Sequence, residues 1–376
     1  MSPSRRRRRA SPAWEGRRRI IVATFPGRGL YTRHLGHPEG VDAVHRPTVK
    51  PANHREPPLL SRHWLRHHLD EVDVVHLHGL ASRLSPEEVA ATADAVRAAG
   101  TPLVMTGYHL SDPAGRPGHA YDRQLDELVP RADAVVTLTE SAAQEMRRRW
   151  GADPIVLPHP HAVDFVRMRQ ERHPRRGELL VGMHLAGLNL PTDPLRLTTA
   201  LSRAVSALQQ RRRGVRLVVH LHETVLDPDA AGYNPCLVRE LDEVIRGCGG
   251  LLRVHRPFTE SQLWDHLFSL DVSVVPGLHG SHSIWPEACA DLGTQAVLPA
   301  GTHAAAQRPC LVYSTAARDR TGRLDVEATT DSLLTALTTA SEQECVWRAD
   351  PEERWAERVK VAESLRTLYE RLLGDV

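Results

Sequence analysis

The chain has 376 residues, a formal net charge of +2 and 41% hydrophobic residues. This length exceeds what one hydrophobic core usually supports, so we expect two domains. The basic excess lies mainly in residues 1–19, where arginines punctuate a Ser- and Pro-containing segment. Such a short charged block is typical of a solvated terminus, so we predict a disordered basic tail over residues 1–18 and no nucleic-acid partner.

Two further classes of protein are excluded by the sequence. The residues after the arginines are too few and too polar for a secretory signal, and no stretch approaches the ~18 apolar residues of a membrane span. The five cysteines form no CxxC pair and no disulfide framework. These features predict a cytoplasmic protein with reduced thiols and no transmembrane segment.

The first half of the chain alternates short apolar strands with amphipathic helices. One helix has a clear start signal, because Ser85 can cap it, Pro86 suits its first position and two acids follow. Strands that are apolar throughout are typical of a parallel sheet covered on both faces. The predicted strands are 19–25, 72–79, 102–106, 134–138 and 155–157, and the predicted helices are 85–99, 121–129 and 139–150.

A second alternation begins after residues 167–177, a charged segment with Pro174 that has the composition of a linker. Residues 352–373 carry apolar side chains at helical spacing, which predicts a final helix. The other predicted elements are strands 179–183, 215–221, 251–255, 272–275 and 296–299 and helices 194–210, 236–246 and 259–269. We therefore predict an α/β fold with two Rossmann-like domains facing a central cleft. Their bounds are 19–172 and 178–345, and the C-terminal helix over 352–376 crosses back to the N-terminal domain.

The loop with the richest chemistry runs from Pro276 to Ser283 and leads into a helix. Ligands of open parallel sheets bind beyond the carboxyl ends of the strands, where this loop lies. Its small residues let a backbone approach an anion, and the free N–H groups at the helix start attract phosphate. Glu287 lies about one turn into that helix, where a carboxylate accepts hydrogen bonds from adjacent hydroxyls. The pattern predicts a site for a diphosphate and a ribose, with a capped helix bearing an exposed acid as the alternative.

The succession of elements around Glu287 is recognisable. A strand and a small-residue loop precede Glu-Ala-x-x-x-x-Gly, from Glu287 to Gly293, and an apolar strand follows at 296–299. Supporting segments occur in the same order at 74–78, 131–139, 157–164 and 269–276. In these features the chain resembles retaining GT-B glycosyltransferases of the family 4-like group 1. Residues 282–294 are similar to an actinobacterial branch of that family.

The resemblance implies roles for individual residues. Glu287 would hold the nucleotide ribose, residues 280–283 would bind the diphosphate, and His279 would contact the donor sugar. His109 would lie at the reacting carbon, and Arg28 would balance the charge of the leaving group. The donor-binding candidates are Gly29, His184, Gly280, Ser281, His282, Ser283 and Glu287, the catalytic candidates are Arg28, His109 and His279, and the acceptor-binding candidates are Tyr31, His34 and His78.

The sequence departs from the family pattern in three places. His279 stands where the family has a second glutamate, and it lacks the fixed negative charge. The loop after the first strand of the second domain contains His184 but not the usual Arg and Lys that clamp the diphosphate. Thr106-Gly107-Tyr108-His109 replaces a Thr-x-His-Asp motif. A polar loop histidine and an exposed arginine therefore remain the alternative interpretations of His109 and Arg28.

Alternate histidines such as His220 and His222, with Glu223 following, also raise the question of a metal site. We expect none, because one short strand supplies at most two convergent ligands and no third ligand has a recognisable spacing. GT-B enzymes generally need no metal, so the resemblance implies no cofactor besides the nucleotide-sugar co-substrate.

The predicted function is metal-independent, retaining transfer of a sugar from a nucleoside-diphosphate donor to a small acceptor such as a natural product. The low aromatic content, 5%, argues against a long groove for stacking carbohydrate. Two alternatives remain open. One is a catalytically silent relative that binds a ligand or a partner protein, and the other is a transferase that forms a non-glycosidic bond from an activated cyclitol.

Overall fold

A computed structural model describes residues 18–27, 29–47, 62–80, 84–113, 120–172, 177–185, 193–211, 214–230, 232–277, 282–343 and 346–374. The chain forms two compact units. Unit 1 comprises Met1–Tyr108, Ala120–Pro160 and Arg354–Val376, and unit 2 comprises His109–His119 and His161–Glu353. The predicted basic tail lies outside the described residues, apart from its last position. No helix in the described ranges combines the length and the apolar character needed to cross a membrane.

Strands and helices alternate along both units. The strands are β1 (Ile20–Phe25), β2 (Val44–His45), β3 (Val74–Leu77), β4 (Leu103–Thr106), β5 (Ala134–Thr137), β6 (Ile155–Val156), β7 (Leu179–Leu185), β8 (Val215–His222), β9 (Leu251–His255), β10 (Val272–Val274), β11 (Gln295–Pro299) and β12 (Leu311–Tyr313). The α-helices are α1 (Arg62–His68), α2 (Pro86–Ala98), α3 (Ala120–Leu128), α4 (Glu140–Trp150), α5 (Phe165–Met168), α6 (Pro194–Arg211), α7 (Pro235–Gly247), α8 (Glu260–Ser269), α9 (Ile284–Leu292), α10 (Val326–Glu342) and α11 (Pro351–Leu373).

Unit 1 contains a six-stranded parallel sheet in the order β2-β1-β3-β4-β5-β6. Local chemistry defines its helices. The Ser85 side chain accepts from the Glu88 N–H at 3.1 Å while Glu88 accepts from the Ser85 N–H at 2.7 Å, which is the capping box that starts α2. Gly151 ends α4 with a φ of 64°, a left-handed conformation that favours glycine.

Helix α11 supplies apolar side chains to the core of unit 1. Val361, Leu365, Leu368 and Tyr369 are all buried there with strand residues such as Val74. Burial of side chains at this spacing is what stabilises a long amphipathic helix. The chain therefore completes the core of unit 1 only with its last described helix.

Unit 2 contains a second six-stranded parallel sheet, in the order β12-β11-β10-β7-β8-β9. Its main core lies between the sheet and helices that include α6, α7 and α10, and it comprises side chains such as Val181, Leu201 and Leu337. The predicted α/β class with two parallel sheets is confirmed.

Gly182 in β7 marks a close approach between the sheet and the end of α8. A Cβ atom built there would overlap the side chain of Leu270, which is itself buried. We expect Gly182→Ala to lower the free energy of unfolding of unit 2 by about 1–3 kcal/mol, as overpacked cores do. Urea unfolding of both proteins measures this difference. Gly247→Ala is the control, because open space surrounds its Cβ position, and an equal loss in both variants would contradict the close approach.

Candidate functional site

The predicted site residues are distributed over both units. Unit 1 contains Gly29, Tyr31, His34 and His78, whereas unit 2 contains His109, His184, His282, Ser283 and Glu287. Arg28, His279, Gly280 and Ser281 lie outside the described residues, so their roles stay predictions.

The start of α9 is held by Gln307, a residue that sequence reasoning missed. Ser283 caps the helix by accepting from the Trp285 N–H at 3.1 Å. The Ser283 N–H donates to Gln307 Oε1 at 2.8 Å, and Gln307 Nε2 donates back to the Ser283 carbonyl at 2.9 Å. His282, 1% exposed, stacks on His303 at a centroid distance of 5.6 Å. These contacts therefore fix the backbone conformation at the start of α9.

Glu287 is fully buried, and both of its carboxylate oxygens have partners. Oε1 accepts from Gln307 Nε2 at 2.9 Å, and Oε2 accepts from Arg308 Nε at 2.7 Å. Such charge-assisted hydrogen bonds fix the orientation of a carboxylate. Each oxygen has a second lone pair, so a ligand hydroxyl would share the carboxylate with these two donors. The predicted exposed acid of the alternative interpretation is not observed, because Glu287 is 0% exposed.

Asp291 lies one turn after Glu287 on the same helix and is equally buried. Its Oδ2 accepts from the N–H groups of Ala162 and Val163 at 2.7 and 3.1 Å. Burial raises the pKa of this carboxyl well above its usual range and the nearby Glu287 adds to the rise, whereas the two backbone hydrogen bonds and Arg308 oppose it. The interaction fastens residues 162–163 to α9 within unit 2.

Five histidines come together at the carboxyl ends of β7, β8 and β9. This histidine cluster comprises His184, His220, His222, His255 and His266. The strand register explains it, since His184 pairs with His220 and His222 pairs with His255, which places four rings on one face of the sheet. His266 of α8 covers that face, with ring centroids 4.1 Å from His220.

Hydrogen bonds within the histidine cluster fix several proton positions. His255 Nδ1 lies 2.5 Å from the Arg256 carbonyl, so this nitrogen is the donor. His255 Nε2 forms a hydrogen bond with His220 Nδ1 at 3.1 Å. The Nε2 atoms of His184 and His222 form a second pair at 3.2 Å. Two pairs of rings are thus coupled at the end of the sheet.

Four rings of the histidine cluster, those of His184, His220, His222 and His266, are neutral at pH 7. Burial, followed by the neighbouring imidazoles, lowers the pKa of His184 and of His220 to about 3 and that of His266 to about 4. The pKa of His222 is also lowered, mainly by burial and then by His255. Among the residues that the structure describes, no group of three or more His, Cys, Asp or Glu side chains has an arrangement that would hold a metal ion.

Unit 1 carries a second group of rings near the ends of its strands. This aromatic cluster comprises Tyr31, His78, Tyr108 and His159, and Tyr31 lies 5.5, 5.1 and 5.0 Å from the other three centroids in that order. Tyr31 follows β1 and His78 follows β3, so parallel strands bring the acceptor-binding candidates Tyr31 and His78 together. His34 ends a short 3-10 helix, Thr32–His34.

A buried hydrogen-bond chain supports His78. Tyr369 of α11 contacts His76 Nδ1 at 2.7 Å, His76 Nε2 contacts Thr106 Oγ1 at 2.8 Å, and the same hydroxyl contacts His78 Nδ1 at 3.0 Å. The Nε2 of His78 has no partner among the described residues. Burial lowers the pKa of His78 to about 3, so its free nitrogen belongs to a neutral ring.

His109 lies in unit 2, on a segment that follows β4. Burial lowers its pKa to about 4, and Asp112 opposes that change. The ring is therefore neutral at pH 7 and suited to accept or donate a single hydrogen bond.

Comparison with known proteins supports part of the predicted family. Residues 15–165, less than half of the chain, match the family model of Glycosyltransferase Family 4. No curated protein sequence matches this chain.

Solved structures share the fold over most of the chain. An α,α-trehalose 6-phosphate synthase from Burkholderia multivorans is 13% identical, with 96% of this chain and 99% of that chain covered and a TM-score of 0.59. A Listeria monocytogenes protein described as a UDP-N-acetylglucosamine 2-epimerase is 13% identical, with coverages of 94% and 98% and a TM-score of 0.57. An E. coli trehalose-6-phosphate protein bound with UDP-2-fluoro glucose is 14% identical, with coverages of 85% and 76% and a TM-score of 0.50. These likenesses confirm the GT-B fold with its two Rossmann-like domains.

Proposed function

We propose that this chain is a retaining glycosyltransferase that moves a sugar from a nucleoside-diphosphate donor to a small acceptor without a metal ion. The observation that carries the proposal is the buried Glu287, anchored by Gln307 and Arg308 one turn into the helix that follows β10. A charged group fixed at this end of a parallel sheet suits ligand recognition rather than core packing. The match of residues 15–165 to Glycosyltransferase Family 4 agrees with it.

The donor binds to unit 2 in this proposal. Glu287 shares its carboxylate with the ribose hydroxyls, and the start of α9 attracts the diphosphate through the positive end of its dipole, since the N–H groups of Ser283 and Trp285 already donate to side chains. His282, Gly280 and Ser281 belong to the same donor site, and Gly29 stays a donor-binding candidate in unit 1. His279 contacts the sugar. Nucleotide-sugar binding by the E. coli structure with UDP-2-fluoro glucose supports this assignment.

The acceptor binds to unit 1 in this proposal, at the aromatic cluster and His34. His78 Nε2 is a buried ring nitrogen without a described partner, so an acceptor hydroxyl would satisfy it. The rings of Tyr31 and Tyr108 are half-buried and offer apolar faces to a sugar or a ring of similar size. A small acceptor fits this limited surface better than a polysaccharide.

The chemical step is the departure of the nucleoside diphosphate from the anomeric carbon. Most of the barrier comes from the charge that develops on the leaving group, so the site must stabilise this charge. In the proposal Arg28 is the candidate cation of unit 1 for this task, the positive end of the α9 dipole contributes from unit 2, and His109 contacts the sugar near the reacting carbon. Retention places the acceptor on the face that the diphosphate leaves.

We expect one nucleoside diphosphate to stabilise the protein strongly. At about 100 times its dissociation constant, a ligand of the folded state adds about 2.7 kcal/mol to the free energy of unfolding. A thermal-shift panel of nucleoside diphosphates and nucleotide sugars measures this effect, with Glu287→Gln as the matched variant because it keeps the size of the side chain. Stabilisation of wild type that is lost in Glu287→Gln supports the donor site.

Two other outcomes would redirect the proposal. No stabilisation across the panel would favour the catalytically silent relative. Stabilisation by a nucleotide sugar that is then isomerised without an acceptor would indicate an epimerase, the activity in the description of the Listeria structure.

A further inference from the structure

We infer that the histidine cluster is the anion site of unit 2 and that it takes up a proton when the diphosphate of the nucleotide binds. The inference rests on the proposed nucleotide donor and concerns how its charge is neutralised. Uptake of a proton makes binding of the donor dependent on pH, whereas binding to a site made of arginine and lysine would not have this dependence.

The histidine cluster lies at the edge of the sheet where a ligand is expected. His184 lies in the penultimate place of β7, and His222 and His255 are the last residues of β8 and β9. Three neighbouring parallel strands therefore end in imidazoles on one face, at the edge of the sheet where ligands of this architecture bind. A purely structural layer would be apolar, as Val218 is two residues before His220 on the same face of β8.

Two ring nitrogens of the histidine cluster have unused hydrogen-bonding capacity. His184 Nδ1 and His266 Nε2 are buried atoms with no hydrogen-bond partner among the described residues. His266 is 9% exposed, so its unpaired Nε2 is shielded from bulk water. Buried polar atoms are normally paired, and an unpaired one indicates a missing ligand or water. Two such atoms in one cluster of rings match a ligand with several oxygens.

The charged groups around the histidine cluster favour an anion. Arg253 of β9 acts on His220 and His266 and adds positive potential. The one carboxylate directly after β8, Glu223, pairs with Arg256 at 3.4 Å. On α8, Asp265 pairs with Arg167 at 2.5 Å, and α9 contributes the neutral ring of Trp285, 5.4 Å from His184. These groups give an anion little repulsion.

The coupling of the rings explains why a proton accompanies the anion. Without a ligand the imidazoles repel one another's charged forms and remain neutral. A diphosphate beside them carries at least two negative charges and reverses the preference of the nearest ring. Protonated His184 would donate from both nitrogens, one toward His222 and one toward the ligand. Proton uptake thus supplies the cation that the loop after β7 lacks in sequence.

Inorganic pyrophosphate and the nucleoside diphosphates of the proposed thermal-shift panel are the probes for this inference. We expect the affinity of the wild-type protein for these ligands, divided by the affinity of His184→Lys, to fall about tenfold for each pH unit between pH 6 and 8. The reason is that binding is linked to the uptake of one proton only in the wild-type protein. Isothermal titration calorimetry of the two proteins in parallel cancels the titration of the ligand itself. His68→Gln, at an exposed histidine of unit 1 that pairs with Glu71, is the control and should behave as wild type.

A second readout uses the wild-type protein alone. Histidine ring signals in NMR spectra at pH 7 should report at least one newly protonated imidazole when pyrophosphate or the nucleoside diphosphate is added. Equal pH dependence in wild type and His184→Lys, with no such signal, would overturn the inference while leaving the donor site intact. Absence of binding by every diphosphate from pH 5.5 to 8 would overturn both this inference and the proposed function.

Discussion

Arg308→Met is expected to lower the free energy of unfolding of unit 2 by about 3–5 kcal/mol, the cost of leaving a buried charge without its partner. Glu287 is fully buried, and Arg308, with 11% of its side chain exposed, donates to it at 2.7 Å. Asp291, buried one turn away, adds repulsion once the guanidinium is gone. Urea unfolding followed by tryptophan fluorescence measures the change.

Two matched variants test the cause of that loss. Glu287→Gln combined with Arg308→Met removes both charges, so we expect it to recover most of the stability that Arg308→Met loses. Arg216→Met breaks an exposed pair with Glu178 and should cost at most about 1 kcal/mol. Equal losses for Arg308→Met and Arg216→Met would show that the buried pair does not form. The same pair orients the carboxylate proposed to hold the ribose, so donor binding should fall with it.

The second large effect is expected in acid. His184 and His220 have pKa values of about 3 in the folded protein, below the ordinary value of 6.5, so the unfolded chain binds more protons between pH 6.5 and about 3. Stability therefore rises with pH across this window and is lost as the pH falls through it. Allowing for partial solvent exposure and for coupling between the rings, we expect a loss of about 2–4 kcal/mol between pH 7 and 4.5.

Denaturant unfolding at a series of pH values tests this expectation. His220→Asn keeps a hydrogen-bond donor near the position of Nδ1, which pairs with His255, but cannot take up a proton. Its stability should depend less steeply on pH than that of wild type between pH 4.5 and 6.5. His68→Gln, which changes an exposed ring, should keep the wild-type slope. If His220→Asn also keeps the wild-type slope, the cluster is not the group that titrates.

A bound diphosphate should change this acid response. If the histidine cluster takes up a proton when the anion binds, the negative ligand stabilises the charged rings that would otherwise destabilise the fold. Acid sensitivity and donor binding are then two consequences of one set of side chains. Denaturant unfolding over the same pH series, with and without pyrophosphate, tests whether the ligand reduces the loss of stability in acid.

The sequence by itself determined the elements whose signals are local. Apolar β-branched runs predict β1, β3, β7 and β8, and cap residues such as Ser85 predict the start of α2, because strand and helix preferences act over a few residues. These short signals also place Ser283 at a helix start. The parallel arrangement follows from the regular alternation of strands and helices.

Elements with weak local signals were missed from sequence. The two-residue strand β2 and the edge strand β12 are too short for a periodic pattern, and α10 is rich in threonine, which has only modest helix propensity. Their presence depends on packing against neighbours, for example the contacts of Leu333 and Leu337 with the core of unit 2. Tertiary burial decided these elements.

The partners of the site residues were decided only by the tertiary structure. Glu287 is visible in sequence, but Gln307 and Arg308 lie 20 and 21 positions later, in the segment after β11, and no motif joins them. Alternate histidines at 220 and 222 were visible too, yet a single strand suggested at most two convergent rings. The register of β7, β8 and β9, together with α8, brings five together, because parallel strands align residues that are distant in the chain.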